Sequence, residues 1–277
     1  MSGNRTLWIV LLVVALLACT CCCSALLLVS VLTPSRVESL VPEISGLPRF
    51  GIDLSQGDRT EQLERVFSVG DAPRLRIQNF AGNVTIRSGA GNAVRVVATK
   101  RARSASDLAA IQVDMSGDER LVEVNTSHAS RVSSTNLSVR LEVTVPADTE
   151  VVLRTGAGTV DINGVSGELT VEAGAGTVSV RGAAGPVDLQ TGAGTVEYQG
   201  RPAGDCHFHT GVGTITLTVP DDANLTVDLS TGLGTVNSEL SVRGTVSARK
   251  VSGTTGNGRD AQVTAATGAG TVTLRGQ

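Results

Sequence analysis

The motif TGAGTV, or a close copy of it, recurs six times, beginning at Thr155, Ala173, Thr191, Thr210, Thr231 and Thr267. Successive copies lie 18, 18, 19, 21 and 36 residues apart, and the last interval leaves room for one degenerate copy around Ser252–Gly258. A period of that length is one supersecondary unit used repeatedly, and it constrains the fold before any single motif does. It constrains function as well. The repeated positions carry turn and core residue types and almost no catalytic side chains.

In register on the first Gly of each copy (Gly156, Gly174, Gly192, Gly211, Gly232, Gly268), a second Gly always follows two residues later, and Thr three residues later. Four residues on stand Val160, Val178, Val196, Ile215, Val236 and Val272; six residues on, the apolar choice holds except at Ser238. Five before the Gly are Val151, Leu169, Val187, Cys206, Val227 and Val263, and three before it Leu153, Val171, Leu189, Phe208, Leu229 and Ala265. Period-two apolar positions on both sides of Gly-x-Gly predict two short strands meeting at a tight turn. Asn163–Gly167 and Arg181–Pro186 punctuate the close of the unit.

One such unit cannot bury its own apolar face, whereas a stack of them can. The near-constant spacing predicts an all-β, solenoid-like stack of 18–21-residue rungs. Seven rungs about 4.8 Å apart would make a stack roughly 35 Å long. The alternative is an antiparallel meander or sandwich, because a two-strand unit with a short Gly turn is also a hairpin signal.

Leu7–Leu32 contains no charged residue over 26 positions. As a helix it would extend about 39 Å, enough to cross a hydrocarbon core of about 30 Å with some tilt. A cleaved signal peptide usually has a shorter apolar region of about 7–15 residues. A lipoprotein anchored at Cys19 is a further alternative, since Leu16-Leu17-Ala18-Cys19 approximates a lipobox. The chain nonetheless stays apolar as far as Leu32. Arg5 ahead of the segment favours a cytosolic tail, residues 1–6, with the remainder outside the cytoplasm. Four of the five cysteines fall within the segment, which leaves Cys206 alone in the globular part with no partner for a disulfide.

Residues 33–65, with Pro34, Pro42 and Pro48, read as a juxtamembrane linker carrying one helical turn at Thr60–Arg65. The β domain is expected over 66–277. Its early strands are expected at Arg74–Gln78, Asn83–Arg87, Val94–Thr99, Ile111–Ser116, Leu121–Asn125 and Leu137–Val145. Ser104 is expected to cap a short helix before Ala110. A forerunner of the repeat stands at Asn79-Phe80-Ala81-Gly82-Asn83-Val84.

The runs RLRIQNFAGNVTIRSG, VRVVATKRARSASDLAAIQVDMSGD and LEVTVPADTEVVLRTGAGTVDINGVSGELTVEAGAGTV, with the later TGAGTVTLRG, resemble the toast-rack family of bacterial adhesin-like domains over about residues 66–277. The resemblance implies one all-β domain of stacked short strands, tethered to the cell envelope and associated with envelope-stress sensing or adhesion. It brings no catalytic residues. This chain has GAGTV where many relatives place Asp after the second Gly, which weakens an acidic-ladder reading.

Gly-x-Gly invites a phosphate-binding interpretation, but that needs a helix after the turn, and here Thr-Val and another strand follow. Calcium rolls need acidic oxygen ligands in each copy, and Thr occupies that place in all six. A net charge of −3 gives no electrostatic case for nucleic acid. The one cluster with metal-ligand residue types is Asp205-Cys206-His207-Phe208-His209. Register places Cys206 in the core and points His207 and His209 outward, and sequential stacking would set His207 between Asp188 and Asp228. Those four residues are the candidate metal or pH-responsive patch; against it, histidines on an outward face are ordinarily just solvated.

The outward position five after the Gly reads Asp161, Ser179, Glu197, Thr216, Asn237 and Thr273, with no adjacent acidic pair for glycoside chemistry. The expectation is a non-enzymatic, membrane-anchored extracytoplasmic module for interaction or envelope sensing, without a cofactor. Its expected partners are the membrane itself and an envelope protein or cell-wall polymer, and an exposed terminal rung invites self-association. The rivals are a surface adhesin for a cell-wall or host polymer and an envelope glycan-active enzyme.

Overall fold

The computed structural model describes residues 58–129 and 136–277. The expected tail, the membrane segment 7–32 with Cys19, and residues 33–57 of the linker lie outside the described residues. Among the described residues no helix is long and apolar enough to cross a membrane. The fold is all-β, an open sheet of fifteen strands with one short helix.

Six long strands carry the repeat: β8 (Glu150–Asn163), β9 (Leu169–Arg181), β10 (Val187–Gln199), β11 (Gly204–Val219), β12 (Leu225–Ser238) and β15 (Ala261–Gly276). They pair in parallel and in register, so that Gly194 lies opposite Gly176 on one side and Gly213 on the other, and Thr195 opposite Thr177 and Thr214. The repeat therefore stacks, and these strands do not form the antiparallel meander. The expected core columns are buried: Val151, Leu153, Val160 and Ile162 on β8 are each within 1% of full burial. The same columns run through β9, β10 and β11.

The tight turn expected at Gly-x-Gly is not there. Each strand runs unbroken through it for 13 to 16 residues. What changes is parity. On β10 the inward positions are Val187, Leu189 and Thr191 before Gly192, then Val196 and Tyr198 after Gly194. Alternation has slipped by one residue, so the motif is a corner that turns both arms of the strand onto one core. Neighbouring corners pack backbone against backbone. A Cβ on Gly192 would stand 2.6 Å from the carbonyl oxygen of Gly174. Gly194 adds a φ of +144°, which L side chains rarely adopt, and a Cβ there would overlap the Gly176 carbonyl. A buried Thr braces the corner from inside: the Oγ1 of Thr231 donates to the carbonyls of Leu233 and Gly270 at 3.1 and 3.2 Å.

Among the six repeat strands, spatial order departs from chain order at one place. β15 lies between β11 and β12, giving the sequence of rungs β8-β9-β10-β11-β15-β12. The degenerate copy expected near Ser252 is not a rung. β13 (Arg243–Val246) and β14 (Lys250–Thr254) form an antiparallel pair, and β14 runs antiparallel to the first arm of β12. The residue types fit this order: β15 buries Ala265, Val272 and Leu274 fully, whereas β12 has Ser238 at the last core position.

On the other side of β8 the rung is split. β2 (Arg74–Asn79) pairs with the first arm of β8 and β3 (Val84–Ser88) with the second, joined by Phe80-Ala81-Gly82. β6 (Leu121–His128) and β7 (Ser138–Val145) repeat that division one step further out. Antiparallel strands finish both halves: β5 (Ile111–Gly117) on β6, β4 (Ala93–Ala102) on β7, and β1 (Arg59–Ser68) on β4. The helix α1 (Ala105–Ala109) is capped by Ser104, whose Oγ accepts from the Asp107 amide at 3.0 Å. β1 corrects the expected boundary, since strand begins at Arg59, where a linker and a helical turn were expected. As an edge strand it can carry Glu61, Glu64 and Arg65 in solvent and contribute only Leu63 and Phe67 to the core, which hides its alternation.

Candidate functional site

Variation between rungs is concentrated on outward positions, and on the first arms these form two columns crossing the strands. Two residues before the Gly, the column reads Gln78, Arg154, Glu172, Gln190, His209, Ala266 and Ser230 in spatial order. Four before it, the column reads Arg76, Val152, Thr170, Asp188, His207, Thr264 and Asp228.

The expected patch is therefore only partly assembled. Asp188 stands directly opposite His207, and Gln190 opposite His209. Asp228 does not join them, because β15 places Thr264 between it and His207. Asp228 instead meets Lys250 Nζ at 3.2 Å. Asp188 is already engaged, accepting from Gln190 Nε2 at 3.2 Å. Among the described residues no three His, Cys, Asp or Glu side chains converge in a manner suited to a metal ion. Cys206 is buried as expected, and burial pushes its thiol above the ordinary value. Tyr198 lies beside it with a phenol raised by burial and an oxygen that finds no hydrogen-bond partner among the protein atoms.

Next to the patch lies a groove of about 620 Å³ that crosses β8, β9 and β10 on the approach to their corners. Gln78, Arg154, Glu172 and Gln190 line it, and Gly156, Gly174 and Gly192 lower its floor. Arg154 and Glu172 join across adjacent rungs at 3.1 Å with both side chains about half exposed, an arrangement that is weak energetically and open to exchange with a ligand. One end is closed by Phe80, whose ring meets His128 edge-on at a centroid distance of 4.9 Å.

That end is held by a buried polar network. Thr126 Oγ1 donates to Asn79 Oδ1 at 2.6 Å and accepts from the Phe80 amide at 3.1 Å. Asn79 Nδ2 donates to the Val139 carbonyl at 3.2 Å. These bonds tie the split rung to both halves of the next one, where no continuous strand could do so. Satisfied networks of this kind fix geometry. The result is a rigid channel with charged, amide and aromatic groups. It is suited to gripping an extended polar chain laid across the rungs.

Sequence reasoning found the His207 and His209 side of this face and missed Arg154, Glu172, Gln190 and Phe80. The signal was present in the register: reading one outward column across the copies brings Arg154, Glu172, Gln190 and His209 together.

The family described as Toastrack DUF4097 matches residues 70–275. Among solved structures, a candidate cell adhesion protein from Clostridium sporogenes is 13% identical, with 78% of this chain and 100% of that chain covered and a TM-score of 0.49. A candidate adhesin from Bacteroides fragilis is 13% identical, with 77% and 97% covered and a TM-score of 0.41. No curated protein matches the chain.

Proposed function

This chain belongs to the Toastrack family, and we propose on that footing that it is a non-enzymatic interaction module. In this reading residues 7–32 anchor it in the cell membrane, and the β domain outside the cytoplasm senses or binds an envelope component. The observation that carries the reading is the division of labour along each rung. The repeated residues are consumed by corner and core, and the residues that vary line an open groove beside His207 and His209.

The partner expected is an extended segment of an envelope protein, held by Arg154, Glu172 and Gln190. A surface adhesin for a cell-wall polymer is the second reading, favoured by the groove's direction across the rungs, which suits a linear chain. A photo-crosslinking residue at Gln190 in the full-length protein tests both. A discrete protein adduct that disappears in Arg154→Ala, Glu172→Ala supports the module that reads a protein. Adducts to cell-wall material support the adhesin. Crosslinking no greater than from an equally exposed residue of β13 removes the groove from either function.

A further inference from the structure

A second hollow, of about 490 Å³, opens on the outer face of the other arms, where β1, β4, β7 and the connection leading into β3 meet. Its side chains come from alternate positions of paired strands. Thr60 faces Arg101, Arg101 faces Ser138, and Thr99 faces Arg140. Asn83 completes the wall, and Gly82 keeps the floor low, since a Cβ there would strike the carbonyl of Val139. The lining is thus two guanidinium groups surrounded by hydroxyl and amide groups. Among the described residues no carboxylate lies within ion-pair distance of Arg140.

One carboxylate does enter the hollow. Asp58 accepts from both Nε (2.8 Å) and Nη2 of Arg101 through a single oxygen, Oδ2. The Arg101 guanidinium thus already holds a carboxylate in the hollow, the kind of oxyanion that this side chain pairs with most readily.

We propose that this hollow binds an oxyanion group, carboxylate or phosphate, carried by a larger ligand, and that Asp58 is its built-in competitor. Arg101 and Arg140 grip the anion, the surrounding hydroxyls and the Asn83 amide complete its hydrogen bonds, and Asp58 must swing away for it to enter. The site is separate from the groove beside His207, so each can fail without the other.

The full-length chain in a neutral detergent is titrated calorimetrically with linear polyphosphate and, separately, with tri-galacturonate. Binding of the first alone identifies phosphate as the anion read; binding of the second alone identifies carboxylate; binding of both identifies charge as sufficient. Asp58→Asn should tighten whichever binds by about threefold to tenfold. Arg140→Gln and Arg101→Gln should each weaken it about tenfold, as loss of one charge-assisted contact implies. Arg249→Gln, which removes an exposed arginine from another part of the surface, should leave it unchanged. Far-UV circular dichroism confirms that each variant is folded, and the two arginine variants give independent readings. Absence of binding by both the native chain and Asp58→Asn overturns the proposal. So does binding that Arg101→Gln and Arg140→Gln leave intact.

Discussion

The corner glycines have a steric role that a single added methyl group exposes. At Gly194 both the backbone angle and the neighbouring carbonyl forbid a side chain. At Gly91 the angle is also positive, φ +93°, but a Cβ would meet nothing within 4 Å. Gly194→Ala should therefore destabilise the domain by about 4 kcal/mol or more, in the range reserved for backbone strain combined with overpacking. Gly91→Ala should cost about 1–2 kcal/mol. Urea unfolding of the two variants checks the contrast, and similar losses would mean that the angle alone governs the corner.

Tyr198 and Cys206 form a different kind of residue-scale test. Both are protonated, neutral and buried, and burial raises each above its ordinary value. The folded chain thus keeps these protons to higher pH than the unfolded chain does. The stabilisation is complete below the ordinary thiol value of 9.0 and is lost as pH climbs from there through the raised folded values. Thermal midpoints should fall steadily above about pH 9, and Tyr198→Phe with Cys206→Val should flatten that fall. Because the Tyr198 oxygen finds no partner among the protein atoms, Tyr198→Phe alone should be neutral or stabilising by about 1 kcal/mol at pH 7. A loss of more than 1 kcal/mol would show that the hydroxyl has a partner after all.

At the scale of elements, β15 and the β13–β14 pair make opposite predictions despite lying next to one another in the chain. β15 pairs along its length with both β11 and β12. A chain stopped at Gly258 leaves two long strand edges and the buried faces of Cys206, Ile215 and Val227 without cover. It should lose a cooperative urea transition and bind a hydrophobic dye. Replacing Glu239–Arg249 by a Gly-Ser linker removes mostly exposed residues and should lower the midpoint only modestly while leaving the transition cooperative. The reverse pattern would mean that the antiparallel cap, not the inserted rung, holds this end together.

The same elements show what could be read beforehand. The columns of Val, Leu and Ile and the course of β2 through β7 follow from local alternation, and the structure has them where alternation puts them. The order of rungs does not follow. Parallel pairing matches each copy with any other copy, so register cannot say which neighbours which; only Ser238, out of place in an inner rung, pointed to β12 as terminal. β1 was hidden because an edge strand needs just one apolar flank. The groove was hidden because no rung contains it: its character comes from Arg154, Glu172 and Gln190, each unremarkable alone.

Taken as a whole, the described β domain is one core closed by two kinds of ending, antiparallel edges at β1 and β5 and the short β13–β14 pair beyond β12. Its internal order also sets a timetable. β15 follows every other described strand, yet it lies between β11 and β12. As the polypeptide emerges from the ribosome, β11 and β12 can each be complete while the partner that must lie between them has not been made. Pairing them directly would be a trap, since their glycine and threonine columns match as well as the native neighbours do. A nascent chain of this design is best kept loose until its last strand arrives. That favours a holding chaperone over strand-by-strand assembly during translation.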